Sequence, residues 1–237
     1  MGVVAGAGGF ITMVHFVSIN GNIGSGKSTL LKEIEIEYSK RRCKDTDRVP
    51  VMIVPEPIEE WCRPVLDQQQ CSMLKAFYGD PKLNAFSFQM YVLYTRFRQI
   101  FEIMSSIEDD NTLVIVERGP WVDLELMGLP IRDSGALSEM QWVIYEYWHN
   151  MMLSFLPPLS AVVYLQIEPQ VCIDRIETRG RRDEKGGIDI DYLKRVHDAH
   201  ESYVCNCPHP KTIIKSLDSK QTEAAKKVID WIEAIGL

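Results

Sequence analysis

The chain has 237 residues, 46% of them hydrophobic and 25% charged, close to the averages for globular proteins. A chain of that length buries enough surface to hold a core without staples, which excludes disulfide-scaffold, collagen-like and low-complexity classes. Lysine and arginine number 26 against 33 acidic residues, and the net charge of −7 argues against a nucleic-acid polymer as partner.

Residues 1–12 are apolar and glycine-rich and carry no Lys or Arg. They read as a flexible leader before a single domain over 13–237, and the missing positive charge favours a cytoplasmic over a mitochondrial location. Short apolar or β-branched runs follow at 15–19, 49–54, 113–117, 161–167 and 212–217. They alternate with helical periodicity at 27–41, 84–107, 138–155 and 169–179. Strands recurring between helices predict an α/β fold with a parallel sheet of about five strands flanked by helices. No apolar stretch reaches membrane-spanning length, so no membrane partner is expected. The six cysteines follow no repeating spacing. Cys205-Asn206-Cys207 lacks the ligand spacing of common zinc sites, and reduced, unpaired thiols are expected.

The strongest local pattern is Gly21-Asn22-Ile23-Gly24-Ser25-Gly26-Lys27-Ser28, followed by Thr29, between an apolar strand and a helical pattern. Glycines there let backbone N–H groups turn inward around phosphate oxygens, and the helix N-terminus adds a positive dipole end. Lys27 is placed to reach the β- and γ-phosphates of a nucleotide, and Ser28 to sit on Mg²⁺. The loop predicts a nucleoside triphosphate but leaves the reaction open.

Three further features choose among reactions. Glu56 lies between Pro55 and Pro57 at the end of the second run, a stiff carboxylate at the ligand edge of an open sheet. Glu117-Arg118-Gly119 ends the third run, joining an acid suited to Mg²⁺ to an arginine suited to phosphate. Arg175, Arg179, Arg181 and Arg182 crowd one segment beside Gly180, Gly186 and Gly187, a pattern expected of a closing lid that meets phosphate charge. In the long helical pattern, Gln89, Val92 and Arg96 project from a face other than the apolar stripe and suggest a cavity wall.

The ordered series GNIGSGKST, PEPIEEW, FSFQMY, ERG and RIETRGRRDE resembles the deoxyribonucleoside kinases, the family that contains deoxycytidine, deoxyguanosine and insect-type multisubstrate kinases. The resemblance runs from about residue 15 to residue 205. It implies Glu56 as the base that takes the 5′-hydroxyl proton, Glu117 as an acid that helps hold Mg²⁺, and Arg118 near the transferred phosphate. Arg179 and Arg181 match lid arginines, while Tyr78 and Glu184 match a pair that bonds the sugar 3′-hydroxyl. Gln89 matches a glutamine reading the base edge, with Phe88 stacking on the base and Trp61 beside it. Arg96 and Asp123 match a pair marking members that prefer deoxycytidine, deoxyadenosine or deoxyguanosine. The chain departs from the pattern at Gly119-Pro120, where a serine usually follows the arginine, and at Met127, where relatives often place phenylalanine. Both bear on substrate choice.

Residues 138–155 carry apolar side chains around more than one helix face, including Met140, Tyr147, Trp148, Met151 and Phe155. One face suits the sheet and another a homodimer interface, in agreement with the family's homodimers. The expected reaction is transfer of the ATP γ-phosphoryl to a deoxynucleoside 5′-hydroxyl. A thymidylate-type monophosphate kinase would share loop and lid, but Glu56 would repel its dianionic acceptor. A non-catalytic nucleotide-binding switch would leave Glu56, Gln89 and Arg96 without a purpose.

Overall fold

A computed structural model describes residues 2–5, 11–45, 47–66, 71–107, 111–184, 186–215 and 221–237. The chain opens with β1 (Gly2–Ala5) and β2 (Ile11–Gly21), then α1 (Lys27–Arg42), β3 (Val51–Val54) and α2 (Ile58–Trp61). Two short strands, β4 (Pro64–Leu66) and β5 (Cys71–Ser72), pair with each other and lead into α3 (Met73–Gly79) and the long α4 (Pro81–Ser106). Next come β6 (Thr112–Glu117), a π-helical turn over Leu124–Gly128, α5 (Leu129–Asp133) and α6 (Glu139–Leu153). The remainder is β7 (Leu159–Leu165), α7 (Pro169–Arg179), α8 (Ile190–Asn206), β8 (Lys211–Ile214) and α9 (Gln221–Ala234).

The main sheet runs β3-β6-β2-β7-β8 with every one of these neighbours parallel, as the alternation of strands and helices predicts. Its inner strands β6, β2 and β7 are buried on both faces, so their sequences read as apolar runs whose side chains alternate between two cores. Val14 and Phe16 of β2, with Val114 and Val116 of β6, enter a core shared with α4 and α6. Val17, Ile19, Leu113 and Ile115 enter the opposite core, shared with α1 and α9. All five strands end at one sheet edge, and Gly21, Glu56 and Glu117 follow or close them there.

Some elements differ from the sequence reading. Within the leader expected over 1–12, Gly2–Ala5 pairs antiparallel with the beginning of β2, which starts at Ile11. Strand β3 begins at Val51 because Val49 turns aside, its carbonyl accepting the Tyr38 hydroxyl at 2.9 Å. β8 occupies Lys211–Ile214, and residues 216–217 of the expected strand lie outside the described residues. Helix α4 starts earlier than expected, at Pro81, because Asp80 caps it by accepting the Leu83 N–H at 3.1 Å.

Cys205 is exposed and Cys207 buried, and both are free thiols. Among the described residues no three His, Cys, Asp or Glu side chains converge into a metal-binding group. No described helix is long and apolar enough to cross a membrane.

Candidate active site

The phosphate loop joins β2 to α1. Gly24 adopts φ +78° with the Cys172 carbonyl oxygen 2.5 Å from where a Cβ would stand, so no other residue fits there. Asn22 ties the loop to α8, its Nδ2 donating to the Leu193 carbonyl at 2.8 Å. Arg175 reaches back from α7 and donates to the Ser25 carbonyl at 3.0 Å. Lys27 folds over the loop and donates to the Gly21 and Asn22 carbonyls at 3.0 and 2.9 Å. Burial, then the neighbouring Arg118, lower the Lys27 pKa to about 7, although Glu117 and Glu56 oppose them. The loop thus holds a cation that a triphosphate would satisfy.

Glu117 closes β6 with its side chain buried beside the loop, accepting the Ser28 hydroxyl at 2.9 Å. Arg118 follows in a left-handed conformation, φ +48°, which costs a non-glycine residue about 1–3 kcal/mol. Its backbone N–H donates to Ile19 at 3.0 Å and holds that conformation against the sheet. The turn swings the guanidinium back across the sheet edge, where Nη2 donates to the Gly21 carbonyl at 2.8 Å and Nη1 to Glu56 Oε1 at 2.9 Å.

The same Glu56 oxygen accepts a second guanidinium N–H, from Arg96 of α4. Arg96 pairs on its other side with Asp123, just before the π-helical turn. Loop, strand ends and long helix are therefore joined by one chain of charged side chains, Arg118, Glu56, Arg96 and Asp123, anchored on the Gly21 carbonyl. Burial alone would push the Glu56 carboxyl up; Arg118, then Arg96 and Lys27, outweigh it and hold the pKa at about 2. The π-helical turn, a device common at functional sites, carries Asp123 to Arg96 and Met127 to the cavity.

A cavity of about 840 Å³ opens in front of this chain of charges. Of the residues singled out in the sequence, it is lined by Ile23, Gly24, Gly26, Lys27, Ser28, Thr29, Glu56, Trp61, Tyr78, Phe88, Gln89, Val92, Arg96, Glu117, Arg118, Met127, Arg175, Arg179, Arg181 and Glu184. Gly21, Asn22, Ser25 and Asp123 are buried and do not line it. Arg182 does not line it.

One end of the cavity is aromatic. Phe88 stacks on Phe77 at 4.8 Å between centroids and 14° between planes, with Trp61 edge-on at 5.9 Å. Trp61 Nε1 donates to Thr95 Oγ1 at 2.9 Å, and Arg96 lies over the indole at 5.2 Å. Gln89 and Arg96 are 2% and 4% exposed, and the Gln89 Oε1 has no hydrogen-bond partner. A buried amide oxygen left unpaired costs about 1–3 kcal/mol and marks a place where a donor belongs.

The arginine cluster is engaged in a way its spacing did not indicate. Arg179 and Arg181 both pair with Glu184, Arg181 at 2.6 Å. Gly187 packs directly on the Tyr78 side chain, so closely that a Cβ at that position would collide with it. Phe77, Lys32, Arg63 and Tyr192 also line the cavity and were not singled out in the sequence. Tyr192 is detectable as the third residue of α8, whose Asp189 cap and apolar spacing at Leu193, Val196, His200 and Val204 are a helix pattern.

A phosphate loop at the sheet's switch point, an acid and an arginine at the neighbouring strand end, and an aromatic-ended cavity beside them define a P-loop phosphotransferase. The family model for deoxynucleoside kinases matches residues 17–235. The chain is 31% identical to a protein named deoxycytidine kinase 2 of Gallus gallus, over 79% of this chain and 73% of that one. It is 30% identical to human deoxycytidine kinase, over 81% and 76%, and 26% identical to Xenopus laevis mitochondrial deoxyguanosine kinase, over 81% and 73%. The chain belongs to the deoxynucleoside kinase family and catalyses ATP-dependent phosphorylation of a deoxyribonucleoside at its 5′-hydroxyl. Neither a monophosphate kinase nor a switch protein is favoured by these matches.

Proposed function

We propose that the acceptor is deoxycytidine, deoxyadenosine or deoxyguanosine and that Glu56 takes its 5′-hydroxyl proton. The observation that carries this reading is the buried Arg96–Asp123 pair beside the unpaired Gln89 oxygen, at the end of the cavity away from the phosphate loop. A base presenting both donors and acceptors satisfies such an edge. The relatives' names, deoxycytidine and deoxyguanosine kinase, agree with it.

In this mechanism Glu56 accepts the hydroxyl proton as the 5′-oxygen bonds to the γ-phosphorus. The bond from that phosphorus to the β-phosphate oxygen breaks, giving the 5′-monophosphate and ADP. Lys27, Arg118 and the lid arginines Arg175, Arg179 and Arg181 offset the charge on the transferred group. Tyr78 and Glu184 hold the 3′-hydroxyl; Phe88, Val92, Trp61 and Met127 enclose the base. Ser28 and Glu117 present hard oxygens beside the phosphate loop, a donor set that suits Mg²⁺. When bound, the ion screens the triphosphate oxygens.

We assign a homodimer to the exposed face of α6, where Met140, Ile144, Tyr147 and Met151, at i, i+4, i+7 and i+11, are 74%, 38%, 71% and 44% exposed. Apolar side chains at that density on one helix fit a second copy of the same face.

A coupled ADP-release assay across deoxynucleosides and their 5′-monophosphates, repeated with Glu56→Ala, tests the reading. Turnover of deoxynucleosides that collapses in the variant is expected. Turnover confined to thymidine or to monophosphates, or undiminished in Glu56→Ala, overturns it.

A further inference from the structure

Arg96 stands between two carboxylates that, under the proposed function, serve opposite ends of the nucleoside. One side of its guanidinium pairs with Asp123 and the other donates to Glu56 Oε1. The side chain is buried and lies over Trp61, which Thr95 fixes, so its head is confined to the strip between those acids. Gln89, two turns earlier on α4, brings its unpaired oxygen to the same cavity wall. An N–H committed to Glu56 is withheld from a base. A base acceptor that takes it removes one of the two guanidinium donors on that carboxylate oxygen.

We propose that Arg96 is a positioning residue that couples base recognition to the general base: a base seated against Gln89 and Arg96 draws the Arg96 N–H away from Glu56, leaving the carboxylate to Arg118 and the 5′-hydroxyl. The coupling rests on the proposed roles of Glu56 and of the base edge. A carboxylate oxygen that accepts two charged donors is a poorer proton acceptor than one that accepts a single donor. The charged groups facing Glu56 are Arg118 from the end of β6, Arg96 from α4 and Lys27 from α1, with the neutral phenols of Tyr78 and Tyr192 nearby. Of these cations only Arg96 also borders the aromatic end, so it alone responds to the base. The low pKa of Glu56 agrees with a carboxylate held by two guanidinium groups.

The test separates the two ends of the substrate. The acceptor is 1,4-anhydro-2-deoxyribitol, the sugar without its base, and cytosine or adenine is added in trans. In the wild type, saturating free base should raise kcat for the truncated acceptor about tenfold, the effect of one hydrogen bond to a charged group. In the double variant Arg96→Met with Asp123→Asn, which leaves no buried charge unpaired, the truncated acceptor should already turn over about tenfold faster, and free base should add nothing. Base stimulation that persists in the variant, or a variant no faster than the wild type without base, overturns the coupling. Wild-type turnover of intact deoxycytidine, deoxyadenosine or deoxyguanosine separates the claims. Its absence overturns the proposed function and the coupling together, whereas its presence without base stimulation of the truncated acceptor overturns the coupling alone.

Discussion

Arg96 and Glu56, 40 positions apart in the chain, meet through a hydrogen bond from Arg96 Nη2 to Glu56 Oε1. Arg118, 62 positions from Glu56, donates to the same oxygen, so the ends of β3 and β6 and the middle of α4 converge on one carboxylate. If that carboxylate takes the 5′-hydroxyl proton, Glu56→Gln keeps the side chain's shape and removes its basicity. We expect kcat to fall by about 10²–10⁴-fold in steady-state assays, with a smaller change in KM.

The same arrangement sets a pH dependence of stability. Glu56 has a folded pKa of about 2, below its ordinary 4.5, so its contribution is fully present above pH 4.5 and is lost as pH falls toward 2. Thermal unfolding of the wild type should therefore weaken more steeply with acid across that window than unfolding of Glu56→Gln. Parallel curves for the two proteins would show that the arginines do not hold the carboxylate ionised.

Lys27 gives a prediction of opposite sign in protons. Its pKa of about 7 leaves it mostly neutral at pH 8, whereas a bound triphosphate favours the ammonium form. Calorimetry of ATP binding at pH 8 in buffers of different ionisation enthalpy should report uptake of about one proton, and Lys27→Met should abolish that uptake.

Thr95 fixes the Trp61 indole in the aromatic end of the cavity by accepting its N–H at 2.9 Å while fully buried. Thr95→Val leaves that donor unpaired at nearly constant volume. We expect a loss of about 1–3 kcal/mol in urea unfolding, and Thr95→Ser should retain most of it.

The exposed face of α6 predicts oligomeric state. Replacing Met140 and Tyr147 together by glutamate places charge within the apolar patch without disturbing the buried Trp142, Tyr145 and His149 on the other side of the helix. Light scattering should find a dimer for the wild type and a monomer for the variant.

The phosphate loop, the two strand-end acids and the buried face of α4 were legible in the sequence because each is a local pattern. Glycine spacing, a carboxylate between prolines, and Gln89 and Arg96 one heptad apart need no knowledge of distant residues. The Arg96–Asp123 pair was reached through the resemblance, but its link to Glu56 was not legible, since Arg96 and Arg118 reach that carboxylate only once β3, α4 and the end of β6 are packed together. Glu184 shows the same limit. Its resemblance pointed to the sugar, but folding also gives it Arg179 and Arg181 as partners. Helices α8 and α9 were legible yet not singled out: Ala224, Ala225, Val228, Ile229 and Ile232 bury one face of α9 at ordinary helical spacing.

Phosphoryl transfer to the nucleoside with Glu56 as base is decided by separating the products of ATP and deoxycytidine after incubation with the wild type and with Glu56→Gln. Deoxycytidine 5′-monophosphate and ADP should form in equal amounts with the wild type, and both should be lost with the variant. ADP without phosphorylated nucleoside, or equal product from the variant, would contradict that assignment.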